Sequence, residues 1–238
     1  SVVIVDRQGQ SKPVSIPESE VQEAHVSPDG HRIATVTEGV INIVDLERGT
    51  TTPLTPEITT GNKQQPVWSP DGRSVTFASN YEGNGDIYSK PVSGAGSVTP
   101  LLKLPLDQFP TGYASDGTLL FQTVETKNGT ELWILPPGGE ARVWLSNGSQ
   151  NNDAKFSPDG HFVAYSSNIS GRSEVYIQSC DNAADRVQVS AAGGSVPVWS
   201  PNGKQLLFRQ GNVLMETAIG NTGGLSATAP VRLFDGGW

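Results

Sequence analysis

Apolar residues in this chain come in short runs, each preceded by a cluster of turn formers, and the alternation returns at a near-constant interval. Ile33-Ala34-Thr35-Val36 follows Ser27-Pro28-Asp29-Gly30, and Val75-Thr76-Phe77-Ala78 follows Ser69-Pro70-Asp71-Gly72. Leu119-Leu120-Phe121 follows Ser115-Asp116-Gly117, and Phe162-Val163-Ala164-Tyr165 follows Ser157-Pro158-Asp159-Gly160. A fifth copy runs from Ser200-Pro201-Asn202-Gly203 into Leu206-Leu207-Phe208. The Asp, once Asn, stands at 29, 71, 116, 159 and 202, in steps of 42, 45, 43 and 43. A period near 43 residues is a statement about architecture.

Each copy predicts a hairpin. Pro presets the first turn position, the Asp side chain accepts from backbone amides just downstream, and Gly supplies a positive φ. Asn202 keeps that chemistry, and the third copy loses the Pro but keeps Asp116-Gly117. Turn formation accounts for these carboxylates. The alternative is a ring of metal ligands.

Four strands can be placed in each repeat, over 22–55, 65–103, 109–146, 153–190 and 195–234, with two more strands, Val2–Asp6 and Pro13–Ile16, before them. Four strands at this period is the signature of a β-propeller blade, which hides both faces of its sheet by stacking on its neighbours. The expected fold is all-β: one propeller domain over 1–238, six-bladed, with five full blades and a last blade left incomplete because residues 1–16 supply only half of it. A β-sandwich is the alternative, but it does not demand one hairpin five times at one spacing.

Composition narrows the picture. A net charge of −8, with 16 Lys and Arg scattered along the chain, argues against a nucleic-acid footprint and against docking on an anionic membrane. No apolar run approaches membrane-spanning length, so no membrane insertion by this segment is expected. Cys180 is the single cysteine, so no internal disulfide can form. The chain opens inside a strand without an initiating Met, and is expected to be a portion of a longer protein.

Pro66–Gly72 with Val75–Asn80 and Gly85-Asp86-Ile87-Tyr88 resembles the Pro-Asp repeat of TolB-type, WD40-like propellers. So does Phe156–Gly160 with Val163–Asn168 and Ser173-Glu174-Val175-Tyr176. The opening Val5-Asp6-Arg7-Gln8-Gly9 is similar to a subset appended to bacterial receptor-like serine/threonine kinases, beyond a transmembrane helix. The resemblance implies an extracytoplasmic or periplasmic location. It also implies six blades with a shared closing blade, whose two inner strands would here have to follow Trp238 or come from a partner or a second copy. Such an open edge invites self-association.

The resemblance places the Asp-Gly hairpins on one face of the wheel. The opposite face carries the loops that vary most: Pro17–Glu23, Pro56–Gln65, Pro105–Phe109, Ser146–Asp153 and Ala191–Ser195, together with Asn80–Gly85 and Glu125–Thr130. Variable polar loops on a repeated frame are where a protein or small-ligand partner is expected. The candidate ligand-binding residues at the channel rim are Glu23, Gln65, Thr111, Asp153, Lys155 and Ser195. Glu23 and Asp153 could pair or hold a hard cation; otherwise they line a solvated channel, and their removal would leave folding intact. No metal and no cofactor is expected.

His31 and His161 flank the turn where Arg73 and Lys204 stand in other copies, which marks an exposed hairpin flank. His25 lies in a first strand with no second histidine at matching spacing, so a structural role is expected over ligation. A lyase of this repeat family would need a histidine cluster on the channel face. No Gly-x-Ser-x-Gly elbow and no supported Cys/His pair is present, so no catalytic residue is expected and the chain is read as non-enzymatic. Asn128-Gly129-Thr130, Asn147-Gly148-Ser149 and Asn168-Ile169-Ser170 match glycosylation sequons, which Asn- and Ser-rich loops produce by chance.

Overall fold

The structure is a computed structural model and describes residues 2–14, 21–58, 60–125, 129–220 and 224–236. Ile16, residues 17–20 of the first variable loop, Asn128 of one sequon and residues 221–223 lie outside the described residues. The short strands β1 (Val3–Val5) and β2 (Ser11–Pro13) pair with each other alone. The first full sheet holds β3 (Val21–Val26), β4 (Arg32–Thr37), β5 (Val40–Asp45) and β6 (Thr50–Pro53). The second holds β7 (Lys63–Trp68), β8 (Ser74–Ser79), β9 (Asp86–Pro91) and β10 (Thr99–Leu102). The third holds β11 (Gln108–Tyr113), β12 (Leu119–Glu125), β13 (Gly129–Leu135) and β14 (Arg142–Leu145). The fourth holds β15 (Asn151–Phe156), β16 (Phe162–Ser167), β17 (Glu174–Ser179) and β18 (Arg186–Gln188).

In the fifth, β19 (Ser195–Trp199), β20 (Gln205–Gln210) and β21 (Val213–Gly220) are followed by an interrupted outer position. There β22 (Ser226–Ala227) and β23 (Val231–Asp235) both pair with β21, at opposite ends. The structure therefore shows five blades, and the expectation of six with one incomplete is corrected. The residues of β1 and β2 are exposed or half-buried, and a two-stranded ribbon without a covered face is not a blade.

The chain divides into two compact units, Ser1–Val5 with Ser11–Pro110, and Asp6–Gln10 with Thr111–Trp238. In the first unit one core joins the first two blades: Ile41 and Leu54 from one meet Val75, Phe77 and Tyr88 from the other. In the second unit Leu120, Leu132 and Ile134 pack on Val163 and Tyr165, and Val175 and Ile177 pack on Leu206 and Phe208. Burial thus lies between blades. The middle strands are covered on both faces, which is why β8 and β16 read as continuous apolar runs while β3 alternates half-buried and exposed. The turn of β1–β2 belongs with the second unit: Arg7 Nη1 lies 3.1 Å from Glu216 Oε1 and Arg7 Nη2 donates to Gln205 Oε1 at 2.7 Å.

The repeated turn has the predicted chemistry. The Asp or Asn oxygen accepts the N–H two residues on, at 3.0 Å for Asp71–Arg73, 2.8 Å for Asp116–Thr118 and 3.0 Å for Asn202–Lys204. One further element escaped the sequence pattern. The preceding serine donates to that oxygen and accepts the N–H five residues on, as Ser69 does with Asp71 at 2.6 Å and Ser74 at 3.0 Å. Ala114 replaces this serine in the third copy, and Thr118 Oγ1 donates to Asp116 instead.

The Ser27 hydroxyl and the His31 N–H hold the Asp29 carboxyl down at about 2, and the Ser69 hydroxyl and Arg73 N–H lower Asp71 likewise. A depressed carboxyl stabilises the fold above its unfolded value near 3.8 and loses that contribution as pH falls through the folded one. The urea midpoint is therefore expected to fall between pH 4 and pH 2. In Asp71→Ala it should already be lower at pH 7, and its acid dependence should be shallower; an unchanged midpoint would contradict the turn role.

Candidate functional site

The inner strands are polar where they enter the sheet, and each of four carries an extra residue. The pairing register shifts between Val21 and Glu23, Gln64 and Val67, Asn152 and Lys155, and Ser195 and Val198. Gln65, Asp153 and Val196 take positive φ there, at 50°, 56° and 53°, a conformation that residues other than glycine adopt only under local constraint. At Gln65 and Val196 the constraint comes from the neighbouring blade. Glu23 Oε2 accepts the Gln65 N–H at 2.7 Å, and Asp153 Oδ2 accepts the Val196 N–H at 3.3 Å. The separations, 42 and 43 residues, are one repeat each.

A second tie runs the same way along these strands. Trp68 Nε1 donates to His25 O at 2.8 Å and Trp199 Nε1 to Lys155 O at 3.1 Å, while the Lys155 ammonium donates to Thr111 O. Glu23 and Gln65 are thus brought together in the first unit, and Thr111 and Lys155 in the second. Thr111 is buried, its hydroxyl donating to Leu120 O at 3.1 Å, so it is not a rim residue. Ser195 precedes the extra residue of its strand by one; the repeat position is Val196, whose apolar side chain hid it from a search for polar groups.

Each acid bonds to the backbone of the next blade, which argues against the expectation that either could be removed without effect on folding. Glu23→Ala leaves the half-buried Gln65 N–H without its acceptor and should cost about 1–3 kcal/mol. Asp153→Ala should cost less, because Ser166 Oγ stands 3.2 Å from the same Val196 N–H. Urea denaturation of the two variants checks both the size and the order.

His31 and His161 lie on exposed hairpin flanks, as expected. His31 Nδ1 stands 3.1 Å from Glu47 Oε1. His25 is half-buried, 3.9 Å from Glu23 Oε2. Burial pushes the Cys180 thiol up to about 12, and its Sγ lies 3.3 Å from Gly160 O, so it is no ready nucleophile. Among the described residues no group of three or more His, Cys, Asp or Glu is placed to hold a metal ion.

Two cavities open among the variable loops of the first unit, of about 720 and 420 Å³. Gln22, Glu38, Pro56 and Ile58 line the larger, and Ser79, Asn84, Asp107 and Phe109 the smaller. Asn62 and Gln64 line both, so the volumes adjoin. The loops are fixed in place. The buried Lys63 ammonium donates to Ile58 O at 2.7 Å, Gly61 O at 3.1 Å and Thr60 O at 3.2 Å, and burial lowers its pKa. Gly61 takes φ +71°, and a Cβ there would stand 2.7 Å from the Tyr81 backbone. Asn80 Oδ1 accepts the Asn62 N–H at 2.8 Å, and Asp107 Oδ1 the Gly85 N–H at 2.7 Å. Rim counting alone misses Lys63 and Ser79, at the loop-bearing ends of their strands, and Asp107, in the loop just before β11, none of them at the repeated extra residue.

No known protein-family profile matches the chain. An uncharacterised protein of Agrobacterium fabrum is 25% identical over 191 residues, covering 76% of this chain and 63% of that one, so the chain spans under two thirds of that curated relative. A TolB structure from Agrobacterium tumefaciens is similar with a TM-score of 0.74, at 20% identity, over 95% of this chain and 83% of that one. TolB from Acinetobacter baumannii gives 0.75 at 24% identity, over 98% of this chain and 60% of that one. The sheets that stack through their faces, the ties repeated blade to blade and these likenesses converge: in fold, the chain is a TolB-type β-propeller.

Proposed function

We propose that this chain is a non-catalytic binding module, whose variable-loop face receives a protein, peptide or small ligand outside the cytoplasm. The observation that carries this is the pair of adjoining cavities walled by loop residues of the first unit. General acid–base work needs a carboxyl or imidazole free to exchange a proton with a substrate. Among the described residues no His or Cys lines either cavity, and of their two carboxylates, Glu38 and Asp107, the second already accepts the Gly85 N–H.

A sensor propeller within a larger bacterial receptor fits this role, and so does a TolB-like periplasmic scaffold for envelope complexes; the second is favoured by the likeness to two TolB structures. An accessory propeller of a peptidase or a polysaccharide-active enzyme would use the same face without supplying the chemistry. Self-association through an exposed strand edge is a further proposal, checked by the mass in solution.

The test is a thermal-shift screen of metabolites, sugars and short peptides, with each hit recovered and weighed by mass spectrometry. A saturable shift, lost in Asn62→Trp and with the ligand recovered unchanged, supports the proposal. Conversion of the ligand during incubation would overturn it.

A further inference from the structure

We infer that the two adjoining cavities form one two-part pocket for a neutral, hydroxyl-rich ligand of disaccharide size. This rests on the binding role proposed above and names the ligand class. Both volumes, about 720 and 420 Å³, fall in the range of about 300–1,000 Å³ common to small-molecule sites. The wall they share is made of amides. Asn62 and Gln64 face both volumes and Gln22 faces the larger; all three are exposed, and their side-chain amides make no hydrogen bond to a described residue. An amide offers a donor and an acceptor side by side, as a pair of neighbouring hydroxyls does.

Anionic ligands fit less well. No Lys, Arg or His lines the smaller cavity, so nothing there would neutralise an anion. The one cation on the larger cavity, Lys63, has its ammonium turned to three backbone carbonyls. Asp107 is the smaller cavity's one carboxylate, and its Oδ1 already takes the Gly85 N–H, leaving Oδ2 as an acceptor for a hydroxyl. Phe109 supplies a single apolar wall, suited to the C–H face of a sugar ring.

An independent observation lies in the same wall. Ser79 lines the smaller cavity and is 2% exposed, yet its Oγ has no hydrogen-bond partner. Its counterpart one blade pair further on, Ser167, donates to Asn151 Oδ1 at 2.7 Å. Lys63 stands where Asn151 would be, paired with Ser79 in the strand register as Asn151 is with Ser167, and is occupied elsewhere. A buried hydroxyl without a partner is unfavourable, and a ligand hydroxyl entering from the cavity would relieve it.

The experiment is isothermal titration of the whole chain with maltose, cellobiose, trehalose and diacetylchitobiose, beside digalacturonate, glucosamine and a set of short peptides. Saturable binding of at least one neutral disaccharide is expected, weakened tenfold or more by Gln64→Ala and by Asn62→Ala, both exposed positions. Ser79→Ala, checked for folding by circular dichroism, should weaken it at least threefold. Binding by no neutral sugar, or binding indifferent to Gln64→Ala and Asn62→Ala, would overturn the inference. If a charged ligand or a peptide binds instead and those variants weaken it, the ligand class is wrong and the binding role stands. If no ligand depends on this face, both fall.

Discussion

Trp68→Ala is expected to destabilise the first unit by about 3–5 kcal/mol, the usual range when a buried aromatic is truncated. Trp68 is 7% exposed, joins the core formed by Ile41, Leu54, Phe77 and Tyr88, and lies 4.9 Å beneath the Arg32 guanidinium. It also donates Nε1–H to His25 O in the preceding blade at 2.8 Å. Trp68→Phe keeps most of the packing and deletes that donor, so about 1 kcal/mol should be lost. Trp199 occupies the same repeat position but is only half-buried, so Trp199→Ala should cost visibly less. Urea midpoints of the three variants test the order; a Trp68→Ala protein as stable as the parent would mean that burial between blades is not what holds the sheets.

The second large effect is expected at Glu174, which is 1% exposed. Its Oε2 accepts from the Ser190 hydroxyl and its Oε1 from the Gly193 N–H at 3.0 Å and from Arg172 Nε at 2.5 Å. These contacts pin the loop that leads into the fifth blade. The loop is tight at that point, since a Cβ on Gly194 would stand 2.5 Å from Ser190 Oγ. Glu174→Ala leaves the buried Ser190 hydroxyl and the Gly193 N–H without their acceptor and should cost about 3 kcal/mol from those two groups, since Arg172 is exposed and keeps Ala191 O.

Burial raises the Glu174 pKa, but the Ser190, Arg172 and Gly193 donors outweigh it and leave the value below the usual 4.5. The carboxylate therefore contributes fully above 4.5, and its contribution disappears as pH falls through the folded value. Stability measured from pH 7 to pH 3 should accordingly drop more steeply in the parent than in Glu174→Ala.

The hairpin at each Asp-Gly could be read from sequence because its chemistry is local: Asp71, Gly72 and Arg73 are neighbours in the chain and the bond forms among them. The blade spacing followed from repetition of that signal. The inner strands were harder. Lys63-Gln64-Gln65 and Asn151-Asn152-Asp153 carry no apolar alternation, so sequence began the second and fourth repeats at 65 and 153, two residues after their first strands start at Lys63 and Asn151. Their strand character comes from pairing with Ser79, Ala78 and Ser167, which lies elsewhere in the chain. The latch between Glu23 and Gln65 was invisible for the same reason: nothing in either residue announces a partner 42 positions away. The cavities depend on Lys63 gripping three carbonyls, a tertiary event that a lone lysine in a polar stretch does not advertise.

The ties of Glu23 to Gln65, His25 to Trp68, Asp153 to Val196 and Lys155 to Trp199 each link one repeat to the next and never skip one. Whole-module duplication or loss would carry every such bond along intact, so chains of this kind can lengthen or shorten in steps of about forty residues. A frame slip of a single position within an inner strand would instead misdirect both of its bonds at once. Small insertions should therefore survive only in the loops.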